Sequence, residues 1–379
     1  MSNKEINIVK VENDGQRNIF INFAYEHYKD EPNWVPPLRF DVRNTMDKKK
    51  NPLYKHVDME QWLAYKDGEL VGRIAGIVNH AHNEFHKDKV GFFGYFECIN
   101  DKDVSRKLFD KAAEYVKSKG MDTIRGPVNP TTNDECGLLI DAFDKPNVIL
   151  MPYNFKYYAD LIEDYGFTKA KDLYALWIPS TVINLPVMDK LNRISDMILK
   201  REDLVVRKVN MKDFKNEVQR VREVYNNAWS DNWGFVPMKE EEFNYIAGNL
   251  KMIVDPNFVF FVEKRDTGET IGFSLSLPDT NQAITGLNGK LFPFGIFRYL
   301  RQKKNINRLR VIIMGVKHEY QKKGIDAVFY RDTIVEGNRK GVEGAEISWV
   351  LEDNMVMMQT VINMSAKIYK TYRIYDKTV

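Results

Sequence analysis

Cysteine is scarce in this sequence, and its scarcity excludes two kinds of structure. Only Cys98 and Cys136 occur in 379 residues, so neither a disulfide-built scaffold nor a four-cysteine zinc site can form. We expect both thiols to be buried in a protein of the reducing cytoplasm. A secretion signal is not expected, because Met1–Val11 is polar and alternating and has no apolar core.

Long apolar runs and a large net charge are also missing. No stretch approaches the roughly 18–20 apolar residues that span a bilayer, so we expect no stable membrane insertion. The formal charge is +3, from 56 Lys and Arg against 53 Asp and Glu, which does not predict nucleic-acid binding. Hydrophobic residues at 44% supply core material for two ordinary domains. The oligomeric state is not indicated.

The two halves of the chain show the same order of predicted elements. Each begins with a hairpin, at Asp67-Gly68 and at Asp266–Gly268, and each hairpin is followed by a strand, a helix and a strand. The predicted elements are 90–97, 103–119 and 123–128 in the first half, and 310–316, 325–339 and 345–350 in the second. We infer two copies of one unit with an α/β (α+β) fold, each a mixed central sheet flanked by helices.

The spacing of equivalent residues locates a difference between the copies. Gly120 and Gly341, which end the two helices, are 221 positions apart, and Thr123 and Ala345 in the strands after them are 222 apart, whereas Gly72 and Gly272 in the hairpins are 200 apart. The second copy therefore contains an extra segment of about 22 residues before its helix, between residues 278 and 308. The predicted organisation is a first domain at 1–180, a linker at 181–204 and a second domain at 205–379.

A loop in the second half carries a phosphate-binding pattern. The predicted strand 310–316 is followed by His318-Glu319-Tyr320-Gln321-Lys322-Lys323-Gly324-Ile325-Asp326 and then by a helix. Backbone N–H groups at a helix N-terminus can point at phosphates, and glycine permits their close approach. An ordinary glycine-containing loop is the alternative. The pattern resembles the pyrophosphate loop Gln/Arg-x-x-Gly-x-Gly/Ala of the GNAT N-acetyltransferases, although Asp326 stands where a small residue is usual.

The element order as a whole resembles the GNAT fold occurring twice in tandem. The resemblance implies that acetyl-CoA or another acyl-CoA binds to the second copy, through Val316, His318, Gln321, Lys322, Lys323, Gly324 and Ile325. The first copy has no such loop at 99–103, whereas 158–167 resembles the late helix that ends in Gly-Phe. Segments 34–37, 126–137 and 225–237 resemble an uncharacterised group of bacterial GNAT-like proteins.

Two polar segments are candidates for binding the acyl acceptor. Segment 126–137 is rich in Asn, Thr and Pro after a predicted strand, which suits either a turn or a binding loop with Asn129, Asn133 and Glu135. The resemblance implies that the loop after the helix at 214–225 borders the acceptor site. Its candidates are Asn226, Trp229 and Trp233, although tryptophans four residues apart also suit a core.

Acyl transfer to an amine needs a base, a donor for the developing oxyanion and an acid for the thiolate. The candidate bases are Glu319, Glu352 and Asp353, each of which also suits a solvated surface. Many GNAT enzymes use a tyrosine on the late helix as the acid, but Thr360 or Val361 falls there and Tyr369 and Tyr372 lie further along. His80, His82 and His86 lack further ligands with suitable spacing, so no metal site is predicted.

Positive charge is concentrated in residues 298–340, where twelve Lys and Arg stand against four Asp and Glu. This charge has three interpretations. It is a solvated face, it provides basic surroundings for a phosphate-rich cofactor, or it contacts a lipid or acyl chain together with the aromatic residues at 291–301. The predicted function is an acyl-CoA-dependent N-acyltransferase with a small-molecule or peptide amine as acceptor. The alternatives are a non-catalytic GNAT-fold binding or regulatory protein, and an aminoacyl- or lipid-directed transferase.

Overall fold

The computed structural model describes residues 5–379, which divide into two compact units. The first unit contains residues up to 173 together with 284–299 and 370–379, and the second contains 174–283 and 300–369. The last ten residues of the chain therefore belong to the first unit.

The described chain forms fifteen strands and twelve helices. The strands are β1 (Ile6–Lys10), β2 (Val57–Lys66), β3 (Glu69–Asn79), β4 (Val90–Cys98), β5 (Thr123–Gly126), β6 (Val128–Asn129), β7 (Glu135–Cys136), β8 (Leu138–Leu139), β9 (Thr168–Pro179), β10 (Leu204–Lys208), β11 (Val259–Lys264), β12 (Thr270–Pro278), β13 (Arg308–Val316), β14 (Gly344–Leu351) and β15 (Lys367–Thr378). The helices are α1 (Asp14–His27), α2 (Arg39–Thr45), α3 (His80–His86), α4 (Lys102–Ser118), α5 (Tyr158–Asp164), α6 (Pro186–Arg201), α7 (Phe214–Ala228), α8 (Glu240–Leu250), α9 (Asn281–Ile284), α10 (Gly295–Gln302), α11 (Asp326–Arg339) and α12 (Met355–Asn363). Single 3-10 turns lie at Pro52–Lys55, Ser180–Asn184, Met211–Asp213, Pro256–Phe258, Lys303–Asn305 and His318–Tyr320.

The first unit is a mixed sheet covered by helices. Its strand order is β1-β2-β3-β4-β5-β15, in which β4 and β5 run parallel and the other neighbours run antiparallel. The β2–β3 hairpin turns at Asp67 and Gly68, both at positive φ, as a two-residue turn between twisted strands requires. Helix α4 buries its apolar face, including Leu108 and Phe109, in the core.

The second unit repeats that arrangement. Its strand order is β14-β13-β12-β11-β10, with β13 and β14 parallel and the remaining pairs antiparallel. One apolar cluster lies around β14 and α12, a second lies under α11, and a third lies under α7 and α8. Each β–β–β–α–β unit therefore has a single parallel pair, and a helix connects its two strands, as parallel pairing demands.

The predicted fold class is confirmed, and the predicted element order is that of the structure. The helices expected at 103–119 and 325–339 are α4 and α11, and the segment expected as a linker at 181–204 contains α6. Cys98 and Cys136 are both buried, as expected. Among residues 5–379, no helix has the length and apolar character needed to cross a bilayer.

Candidate functional site

The parallel strands β13 and β14 separate halfway along their length. Backbone pairing runs from Arg308 and Gly344 to Val311 and Ile347, after which the two strands no longer pair with each other. The carboxyl ends of parallel strands that diverge leave a cleft edged by backbone polar groups. We call the unpaired strand ends 312–316 and 348–351, directly before the predicted phosphate loop, the opening of the second unit.

That loop has the geometry of an anion cradle. Lys322 and Gly324 adopt positive φ, at 60° and 83°, and α11 begins two residues later. In residues 5–379, the backbone N–H groups of Lys322, Lys323, Gly324 and Ile325 have no protein acceptor, and no side chain caps α11. A run of unsatisfied N–H groups at the positive end of a helix dipole favours a phosphate. The loop thus fits the diphosphate of a coenzyme A group.

Contacts with the end of α7 and the loop after it hold this loop in place. The side-chain oxygen of Asn227 accepts a hydrogen bond from the backbone N–H of His318 at 2.8 Å, and the Oγ of Ser230 lies 2.9 Å from the Nε2 of His318. The Nε2 of Gln321 donates to the carbonyl of Val316 at 3.2 Å. Of the predicted loop residues, His318 and Gln321 therefore shape the cradle, and their side chains are occupied by protein contacts.

The remaining loop residues take different positions. Ile325 is buried in the apolar cluster under α11. The Nζ of Lys323 lies 3.1 Å from a carboxylate oxygen of Glu202, whereas Lys322 is exposed. Burial raises the pKa of the Asp326 carboxyl group, while hydrogen bonds from the backbone N–H groups of Asp326 and Ala327 act in the opposite direction. Asp326 therefore remains the departure from the small residue usual at this position of the pattern.

The corresponding helix of the first unit, α4, has its N-terminus capped by a side chain. The Oδ1 of Asp101 accepts hydrogen bonds from the backbone N–H groups of Asp103, at 3.0 Å, and Val104, at 3.3 Å. Lys66 forms an ion pair with the same carboxylate. A carboxylate at the N-cap satisfies the amides that a phosphate would need and adds a negative charge. The N-terminus of α4 is therefore capped, whereas that of α11 is open.

The acceptor candidates of the second unit lie against β13. The indole ring of Trp229 covers Gly315 so closely that a Cβ there would overlap it, and the same ring stacks on Tyr225 with centroids 5.1 Å apart. Asn226 exchanges two hydrogen bonds of 3.4 Å with the backbone of Met238. Trp233 is half-buried. Trp229 thus borders the opening beside β13, whereas Asn226 fixes the backbone of the loop.

The acceptor candidates of the first unit form a small ribbon of their own. Asn129 pairs with Glu135 across β6 and β7, and its Oδ1 accepts from the backbone N–H of Tyr95 at 2.6 Å. The backbone N–H of Asn133 donates to Thr131 at 3.2 Å. These three residues lie together, in a different unit from the phosphate-loop candidates.

The three candidate bases lie at the two ends of the opening in the second unit. Glu319 is exposed in the 3-10 turn after β13. Glu352 is half-buried and Asp353 is exposed, and both follow the end of β14. Their positions bracket the opening without bringing the three carboxylates into one cluster.

Sequence analysis missed a buried polar network at the point where β13 and β14 separate. The Nε of Arg310 donates to the Oγ of Ser348 at 3.0 Å, and Ser348 donates to Glu346 at 2.6 Å. The hydroxyl of Tyr369 also donates to Glu346. Arg310, Glu346 and Ser348 are buried, whereas Tyr369 is partly exposed. The sequence signal for this network was the presence of charged residues inside otherwise apolar strands, because charged side chains are buried only when they are paired.

Two exposed apolar side chains follow β14. Met355 and Val356, at the start of α12, are 67% and 81% exposed. The side chain of Asn354 caps that helix, accepting from the N–H of Met357 at 3.2 Å. The opening in the second unit is therefore followed by apolar surface as well as by charge.

Comparison with known proteins defines the family. No family model matches the chain. It is 37% identical over 369 residues to protein YghO of Escherichia coli, covering 95% of this chain and 92% of that protein. It is 32% identical over 391 residues to a bacterial ceramide synthase of Caulobacter vibrioides, covering 100% and 99% of the two.

The solved structures to which this chain is similar include proteins described as a tandem GNAT protein or as GCN5-related N-acetyltransferases. A tandem GNAT protein of the clavulanic acid biosynthesis pathway has a TM-score of 0.55 at 13% identity, with 99% of this chain and 98% of that chain covered. This chain belongs to the family of these YghO and ceramide synthase relatives, and its fold is that of a tandem GNAT protein. A GCN5-related N-acetyltransferase of Sphaerobacter thermophilus has a TM-score of 0.52 at 11% identity, covering 98% and 95%. The GNAT-like acyltransferase fold thus accounts for both units.

Proposed function

We propose that this tandem GNAT protein is an acyl-CoA-dependent N-acyltransferase whose acceptor is the amino group of a long-chain lipid. The observation that carries the proposal is the uncapped start of α11, where four successive backbone N–H groups have no protein acceptor in the described chain. The capped start of α4 supports donor binding at the second unit and not at the first.

A bound acyl-CoA supplies an activated acyl group, whose transfer forms a C–N bond and releases the coenzyme as a thiol. The N–H groups of residues 322–325 hold the diphosphate, and Gly324 keeps the loop in its left-handed conformation. The separated edges of β13 and β14 offer backbone groups to the extended arm of the coenzyme. Trp229 covers Gly315 and excludes water on that side.

The attacking amine must lose a proton, and the Tyr369–Glu346 pair is the proton acceptor in this proposal. The hydroxyl of Tyr369, a partly exposed residue, takes the proton of the amine while it passes its own to Glu346. Ser348 donates to the other oxygen of Glu346 and so orients the carboxylate. Glu319, Glu352 and Asp353, which the sequence suggested as bases, are in this proposal the candidates for protonating the leaving thiolate.

The lipid acceptor is supported by two observations. Ceramide is a long-chain amino alcohol with an acylated nitrogen, so the name of the Caulobacter vibrioides relative describes this type of amide formation. Met355 and Val356 add exposed apolar surface just beyond β14. Methionine adapts to irregular apolar partners, so this surface suits an alkyl chain better than a small polar amine.

Thiol release from an acyl-CoA series tests the proposal. Purified protein is given acetyl-, octanoyl- or palmitoyl-CoA together with sphinganine or with a short amino alcohol, and the amide is identified by mass spectrometry. We expect equal amounts of free coenzyme A and amide, with the long-chain pair as the preferred combination. The double variant Met355→Ser/Val356→Ser should raise KM for the long chains and leave the short ones unchanged.

The alternatives predict different results. A non-catalytic binding protein would bind acyl-CoA in calorimetry without releasing thiol. A small-molecule acetyltransferase would prefer acetyl-CoA and the short amine. A matched control for the double variant is Met197→Ser/Met252→Ser, because those methionines are also exposed, at 54% and 66%.

A further inference from the structure

An aromatic and basic segment lies on the protein surface between β12 and β13. Phe292, Phe294 and Phe297 are 69%, 80% and 70% exposed, and Leu300 is 54% exposed. Single exposed apolar residues are ordinary, whereas four within nine residues form a patch that needs a partner. We call residues 290–304 the aromatic-basic segment.

Positive charge surrounds these side chains. Lys290, Arg298, Arg301, Lys303 and Lys304 are exposed, and none forms an ion pair with any described residue. From residue 280 to residue 318 the chain contains eight Lys and Arg and no Asp or Glu. Unpaired cations without nearby carboxylates leave a local positive potential that an anionic partner can neutralise. The partner therefore has to be both apolar and anionic.

Residues 288 and 289, directly before the aromatic-basic segment, are held in place by contacts with the first unit, so the segment itself projects outward. The carbonyl of Gly289 accepts a hydrogen bond of 2.9 Å from the backbone N–H of Arg39, and the carbonyl of Asn288 accepts from the Nε of the same residue at 3.2 Å. The guanidinium of Arg39 lies 3.9 Å from the ring centroid of Tyr25. Gly289 has a φ of 70°, and a Cβ there would collide with Pro37 and Tyr25. This anchoring keeps the phenylalanines out of the core of the first unit.

We propose that the aromatic-basic segment docks the protein on an anionic lipid bilayer, as a peripheral contact. Phenylalanine rings insert at the level of the headgroups, and lysine and arginine bind the lipid phosphates, which is how short amphipathic segments lie in a membrane interface. Helix α10 places Phe297 and Leu300 on one face by their three-residue spacing. Docking uses neither acyl-CoA nor the opening beside β13, so it stands independently of the acyltransferase proposal.

Vesicle sedimentation tests this inference with the full chain and no acyl-CoA. We expect binding to vesicles of equal parts phosphatidylglycerol and phosphatidylcholine, and much weaker binding to phosphatidylcholine alone. Replacing Phe292, Phe294 and Phe297 with Ser should lower the partition coefficient about a hundredfold. Each Lys or Arg changed to Gln should lower it about fivefold, and added salt should act in the same direction.

The Met197→Ser/Met252→Ser variant serves as the control, because it removes exposed apolar side chains elsewhere. Circular dichroism and thermal unfolding confirm that the serine variants fold. The proposal is overturned if the wild type stays in the supernatant with anionic vesicles, or if the control loses binding as far as the phenylalanine variant. It is also overturned if light scattering finds a dimer that the phenylalanine variant breaks while vesicle binding is unchanged, since the patch would then be covered by a second copy.

Discussion

Replacing Gly324 with glutamate tests the phosphate-binding loop, because the substitution changes both the backbone conformation and the charge of the loop. Gly324 has a φ of 83°, and a Cβ there meets only the end of the Ile198 side chain, at 2.9 Å. A residue with a Cβ in the left-handed region costs about 1–2 kcal/mol in the free energy of unfolding. The new carboxylate also lies beside the free N–H groups of the cradle. Repulsion between it and a phosphate is about 1–3 kcal/mol at an effective dielectric near 20, which corresponds to a loss of coenzyme A affinity of about 5- to 150-fold.

Gly341 provides the matched control for this substitution. It lies just after the opposite end of α11, has a φ of 70°, and has open space around its Cα. Gly341→Glu should carry similar backbone strain, plus about 0.3–1 kcal/mol from a negative charge at the negative end of the helix dipole. It should leave coenzyme A affinity unchanged.

Titration calorimetry gives the affinities of these variants, and urea unfolding gives their stabilities. Gly324→Gln, which adds bulk without charge, should bind more tightly than Gly324→Glu. The reasoning is refuted if Gly324→Glu retains wild-type affinity, or if Gly341→Glu loses as much.

Three further predictions follow from single contacts. Gly315→Val should displace the Trp229 ring, red-shift the tryptophan fluorescence and lower acyl transfer at least about tenfold; an unchanged spectrum would contradict the packing described. Tyr369→Phe should lower kcat about a hundredfold with little change in KM, and full turnover would remove Tyr369 from the proton path. Burial lowers the pKa of His27 to about 4 from its ordinary 6.5, so folded His27 stays neutral while the unfolded chain takes up a proton. Stability should therefore fall as pH drops from 6.5 towards 4, and urea titrations of His27→Gln should show a weaker pH dependence than those of the wild type.

Local patterns predicted the repeated unit well. Hairpin dipeptides, helical spacing and terminal glycines depend on neighbours within a few residues, so they indicated α4, α11 and the two hairpins directly. Asp101, just before the predicted helix, caps α4 in the structure. The phosphate-loop pattern is likewise a local sequence signal, and in the structure its residues lie at the start of α11, before the helix that the sequence predicts.

Contacts between distant residues could not be predicted in this way. Asn226 was the candidate on α7, but its neighbour Asn227 is the residue that bonds the loop at His318. The register of β13 against β14 brings Arg310 opposite Glu346, and no local signal sets the register of parallel strands. Residues 284–299 belong to the first unit although they lie within the second half of the chain. The aromatic composition of residues 284–299 does not indicate which part of the chain they pack against.

In the proposed function, the open start of α11 binds the acyl donor and the capped start of α4 does not. Hydrogen–deuterium exchange with and without acyl-CoA measures this at the backbone amides of the two helix starts. We expect slower exchange in peptides covering 316–327, where four N–H groups gain acceptors, and no change at 98–105, where Asp101 already caps the helix. Protection at 98–105, or no protection at 316–327 under saturating acyl-CoA, would contradict it.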